Sequence, residues 1–112
     1  MIKTLVNVSC AEQGKALPYT GKVVGEILGV NNNYQGELLG VNFAYKKEDG
    51  TLLLGDVKVY TYAEANALYE VVKGDLTPNL SYSDMEKELF ELAFKIEMAS
   101  TFGIEVAEIE TI

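Results

Sequence analysis

The sequence predicts an α+β domain, a curved antiparallel sheet of four to five strands in the order β-β-β-β-α-α-β, packed by two helices. Three observations carry that expectation. Residues 22–60 hold three runs rich in branched and aromatic residues, each bounded by turn-forming residues. Residues 61–102 hold two S/T-x-x-E boxes, each followed by apolar residues at helical spacing. The tail I-E-V-A-E-I-E-T-I alternates again, as a strand does. A chain of 112 residues fits one domain, 1–112.

Residues 2–8 (I-K-T-L-V-N-V) read as the first strand, and residues 9–21, with Gly14, Pro18 and Gly21, as a loop. Lys22–Val30, Gly36–Lys46 and Thr51–Tyr60 read as three further strands. The Asn-rich stretch N-N-N-Y-Q turns the chain between the first two. Glu48-Asp49-Gly50 then closes a hairpin, with Gly50 free to take a positive φ. Continued without interruption, that hairpin sets Leu39, Val41, Phe43 and Tyr45 opposite Val59, Val57, Gly55 and Leu53. One face becomes apolar, and Asn42, Asp56 and Lys58 go to the other. The segments G-E-I-L-G-V-N (25–31) and G-E-L-L-G-V-N (36–42) repeat each other. Their in-strand glycines point to bulges and curvature.

Thr61-Tyr62-Ala63-Glu64 and Ser83-Asp84-Met85-Glu86 place helix starts, and Gly74 and Gly103 sit where a left-handed C-terminal residue belongs. Helices near 62–73 and 84–102 follow. The first has one apolar side, formed by Ala65, Leu68, Tyr69 and Val72. The second has two, with Met85, Leu89, Leu92 and Ile96 on one stripe and Phe90, Phe94, Met98 and Phe102 on nearly the opposite one. Two apolar sides need two covers. The Phe/Met stripe is therefore the candidate protein interface, for a second copy or another protein, with packing inside the domain as the competing reading.

Composition narrows the chemistry. His, Trp and Arg are absent and all nine basic residues are Lys, so the usual neutral-pH base and the bidentate phosphate grip are missing. A net charge of −8 opposes direct binding of nucleic acid. Residues 1–61 balance six acids with six lysines, whereas residues 62–112 set eleven acids against three lysines and carry the whole excess. That half suits a basic partner. A lone Cys10 forms no internal disulfide and fits a reducing compartment. No run is long enough to span a membrane, and the segment before Cys10 is too short and polar for an export signal. A soluble, cytoplasmic protein is expected, with both termini tied into structure.

Cys10 lacks any His to activate it and reads as a small buried thiol. No Walker loop, HExxH, CxxC, calcium loop or nucleophile elbow is present. No catalytic residue, cofactor or metal is expected. The leading expectation is a non-enzymatic structural or assembly protein, self-associating or built into a larger particle. A bacteriophage or mobile-element accessory protein is one form of that expectation, suggested by overall composition with no residue pattern behind it. The alternative is an acidic inhibitor or decoy that occupies a basic surface on a partner protein.

Overall fold

The computed structural model describes residues 1–112. Five strands form an antiparallel sheet: β1 (Ile2–Thr4), β4 (Val23–Asn33), β5 (Leu38–Lys47), β6 (Leu52–Thr61) and β7 (Ile109–Thr111), in the spatial order β6-β5-β4-β1-β7. Helices α1 (Tyr62–Val72) and α2 (Tyr82–Phe102) pack on one side. The terminal strands are neighbours, with Ile2 opposite Thr111 and the Ile112 N–H donating to the Met1 carbonyl at 2.9 Å. The architecture is the α+β one expected, with a curved open sheet.

The first expected strand is broken. At Thr4 the chain peels away from β4. The buried Thr4 hydroxyl accepts the Val23 N–H at 3.0 Å, in place of a ladder bond. Residues assigned to a loop by sequence then form a small ribbon, β2 (Val8–Cys10) against β3 (Tyr19–Gly21). The ribbon delivers Val8 and Cys10 to the core beside Leu53 and Met98. Tyr19 sits under the Lys47 ammonium, 5.4 Å from the ring centroid.

The hairpin loop is the predicted one, but the register beyond it shifts by one residue. Lys46 faces Leu52 as expected, whereas Tyr45 faces Leu54. The intervening bulge sends both Leu53 and Leu54 into the core cluster. Past it the faces exchange. Lys58 and Tyr60 lie opposite Val41 and Leu39 on the helix side, while Val57 and Val59 face outward, more than half exposed. Leu53 and Leu54 are adjacent and both apolar, and no straight strand turns two adjacent side chains to one face; Leu52, before the bulge, stays half exposed. A second bulge leaves Leu28 unpaired between Ile27 and Gly29, beside one of the in-strand glycines.

Helix α1 carries the predicted capping box, with the Thr61 hydroxyl accepting the Glu64 N–H and the Glu64 carboxylate accepting the Thr61 N–H, both at 3.1 Å. It does not end on a left-handed Gly74; it tightens into a 3₁₀ turn over Lys73–Asp75. Helix α2 begins earlier than expected. Ser81 is the cap, its hydroxyl accepting the Asp84 N–H at 3.2 Å, and Gly103 ends the helix at φ 66°. The left-handed residue of the connection is Asn79. Ser81 and Ser83 each precede an acid by three residues. The earlier start adds Tyr82 to the helix. The tail turns through a 3₁₀ segment at Val106–Glu108 before β7, which accounts for the slipped alternation at Ala107.

The Phe/Met stripe is core. Phe90, Phe94 and Met98 are buried against the sheet, and Phe102 packs partly buried beside them. Phe94 meets Phe43 edge-on at 4.9 Å and Tyr45 at 5.4 Å, and Tyr45 meets Phe102 at 5.3 Å. These four residues are therefore covered by the chain's own sheet and are not an exposed interface. Leu89, on the opposite stripe, is also buried, and Ile96 lies open at the far end of that stripe.

Gly25 is what lets α2 approach so closely. A Cβ there would stand 2.7 Å from Cε1 of Phe94 and 3.2 Å from Ile2. Gly25→Ala is expected to cost about 1–3 kcal/mol through overpacking, despite the better strand propensity of Ala. Urea denaturation measures the cost. Adding Phe94→Leu, which relieves the clash, should make the double variant less destabilised than the sum of the two single changes.

Candidate functional site

Both helices present a stripe at i, i+3, i+4 and i+7 to the same space. From α1 come Tyr62, Ala65, Asn66 and Tyr69; from α2 come Tyr82, Met85, Glu86 and Leu89. The end of the β4–β5 hairpin closes the third side with Asn32, Tyr34 and Leu39. The result is a cleft of about 380 Å³, within the range of ordinary ligand sites. Its floor is Leu39, Ala65, Leu89 and Phe90, all buried.

Local sequence dictates how the walls stand. The Tyr62 N–H donates to the Glu37 carbonyl at 3.0 Å, which fixes the start of α1 against the hairpin. The Tyr62 hydroxyl donates to the Asn32 side-chain oxygen. The turn itself lies at 34–37, later than the Asn run, with Glu37 at φ 52° and the Asn33 side chain accepting the Gly36 N–H at 3.1 Å. That shift carries Tyr34 to the rim, where it is 79% exposed, facing a Tyr82 that is 73% exposed. Starting α2 at Ser81 brings Tyr82 to the opposite rim.

Four tyrosines and one carboxylate, Glu86, thus line the same cleft. Glu86 is half-buried and belongs to none of the ion pairs made by the lysines or the amino terminus. On the sheet side, by contrast, Lys46 pairs with Glu26 at 2.7 Å, Lys3 with Glu48 at 2.8 Å and Lys47 with Glu12 at 3.2 Å. The −8 of residues 62–112 accordingly falls on the helices and the tail.

Other reactive groups are set apart from the cleft. Cys10, the last residue of β2, is buried in the core, and burial pushes its thiol above the ordinary cysteine range. That direction disfavours the nucleophilic thiolate. No cluster of three or more His, Cys, Asp or Glu side chains converges in a form suited to a metal. No helix is long and apolar enough to cross a membrane.

No protein family, curated protein or solved structure matches this chain. What the cleft binds is read from its own chemistry. Each helix's apolar pattern, taken by itself, does not show the cleft, because the cleft exists only where the two helices meet. The matching i, i+3, i+4, i+7 spacing of Tyr62/Tyr69 and Tyr82/Leu89 was the available signal.

Proposed function

We propose that this chain is a non-enzymatic protein-binding module whose cleft takes a lysine- or arginine-bearing segment of a basic partner protein. The half-buried, unpaired Glu86 among Tyr34, Tyr62, Tyr69 and Tyr82 carries the reading. Tyrosine faces attract cations, by about 0.5–1 kcal/mol at exposed sites and about 2 kcal/mol when desolvated. A carboxylate without its own lysine leaves a place for an incoming positive charge. The acidic helices then steer a basic partner toward the site. A module of this kind acts as an inhibitor or decoy when the segment it takes is the partner's own nucleic-acid-binding surface.

An arginine-containing decapeptide and its counterpart with every Arg replaced by Gln, titrated calorimetrically, test this. The Arg peptide should bind and the Gln peptide should not, with affinity falling as salt is raised from ~50 to ~300 mM. Tyr82→Ala, at an exposed rim position, should weaken binding roughly fivefold while leaving thermal stability unchanged. Glu86→Gln should weaken it comparably. Equal affinity for the two peptides would sink the proposal.

A further inference from the structure

Strand β6 is an edge strand ten residues long, with no neighbour beyond it. The phase of its free backbone groups follows from the ladder. The Tyr62-to-Glu37 bond continues the register in which Leu38 faces Thr61. The even-numbered residues from Leu54 to Tyr60 therefore bond to β5, and the odd-numbered ones point their N–H and C=O groups out of the sheet. Three contacts agree with this. The Leu53 carbonyl accepts the Gln13 N–H at 2.7 Å, the Thr61 N–H is taken by Glu64, and the Val57 N–H is held by its neighbour Asp56 at 2.7 Å. The open window is thus Gly55, Val57 and Val59, closed at one end by the Gln13 loop and at the other by the helix cap. Its centre is Val57.

We infer that β6 pairs antiparallel with β6 of a second copy about a two-fold axis at Val57, joining two sheets into one. In that register Val57 meets Val57, and Gly55 meets Val59, of the second copy. Each of these pairs exchanges both backbone bonds and uses every free group in the window. Charge selects the same register. Asp56 falls opposite Lys58 of the second copy on the helix face, and Lys58 opposite Asp56, as close non-hydrogen-bonded neighbours. Sliding by one step of the two-fold in one direction sets Lys58 against Lys58; in the other it sets Asp56 against Asp56. Both alternatives bring like charges together. On the outer face Val57, more than half exposed in the single chain, is brought against Val57 of the second copy, and the equally exposed Val59 against its Gly55. The Asp56 carboxylate, which occupies the Val57 N–H in the single chain, gives up that bond and turns to the second copy's Lys58, whose ammonium is shared with Glu97 of its own chain at 2.7 Å. The contact uses a different surface from the tyrosine cleft and stands or falls separately from it.

A strand-edge contact this short buries less than a standard interface, so dissociation in the range of ~100 μM is expected. Sedimentation velocity from ~10 μM to ~1 mM should show the monomer–dimer equilibrium. Asp56→Lys and Lys58→Glu should each weaken self-association roughly tenfold or more, while circular dichroism stays native. An equimolar mixture of the two variants should recover dimers. The lysine introduced in one variant would then face the glutamate introduced in the other, and the retained Lys58 of the first would face the retained Asp56 of the second. Val57→Pro, which removes an N–H that β5 does not use, should abolish pairing. A wild type that remains monomeric at ~1 mM, variants that dimerise as well as wild type, or a mixture that fails to recover would each overturn the inference.

Discussion

Phe94→Asp is expected to leave the chain largely unfolded at 25 °C, and Phe94→Ala to cost about 3–5 kcal/mol. The ring lies in the centre of the aromatic cluster, edge-on to Phe43 and Tyr45, with its Cε1 over the bare backbone of Gly25. It is 7% exposed, so a carboxylate there would lose its water without gaining a cation. The combined loss approaches the entire stability of an ordinary domain, about 5–15 kcal/mol. The experiment also separates the two readings of the Phe/Met stripe. Were Phe94 an interface residue, the aspartate variant would be a folded monomer with native circular dichroism. As a core residue, its loss removes the fold at every protein concentration. Ile96→Asp, at the open end of the other stripe of the same helix, is the control and should stay within about 0.5 kcal/mol of wild type in urea.

The difference between Phe94 and Ile96 shows how far the sequence was legible. Periodicity correctly separated two apolar stripes on α2 but could not say which one the sheet would cover. The aromatic stripe is the larger, and it went to the sheet, where Gly25 makes room for it. The smaller stripe was divided, with Leu89 under α1 and the cleft and Ile96 left open. The three long strands and both helices were readable because each is set by local chemistry, by alternation and by hydroxyl caps. Register was not, because the bulge at Leu53 inserts one residue and turns over every side chain beyond it. Lys58 was placed on the outer face by unbroken alternation, yet it lies on the helix side, with its ammonium 2.7 Å from Glu97. The break after Thr4 was equally hidden. A threonine hydroxyl standing in for a ladder bond leaves no trace in a hydropathy pattern.

Stability is expected to be nearly level between about pH 6 and 8 and to fall steadily above about pH 9. The chain has no histidine, and the displaced groups lie away from neutrality. Burial raises Cys10 above its ordinary value, raises Tyr60, and pushes Tyr45 up to about 12. Lys58 is raised by its hydrogen bond to Glu97 and Lys3 by its bond to Glu48. All five shifts have one sign. Each group holds its proton more tightly in the folded chain, so above its ordinary value the unfolded chain binds fewer protons and unfolding is favoured as pH rises. Each contribution is complete below the unfolded value and is lost as pH climbs through the folded one. Tyr45 contributes most, because its phenol lies buried beside Phe94 and Phe102. A shift from 10 to about 12 corresponds to a loss on the order of 2–3 kcal/mol across that interval. Urea midpoints measured at intervals from pH 7 to 12 should therefore decline, most steeply beyond pH 10. Tyr45→Phe keeps the ring and removes the ionisable hydroxyl, so it should flatten the curve between pH 10 and 12. Cys10→Ala should instead flatten its beginning near pH 9. Phenolate absorbance near 295 nm should appear in step with unfolding for the last tyrosine to titrate. A Tyr45→Phe curve as steep as wild type beyond pH 10 would mean that the buried phenol is not the group that fails.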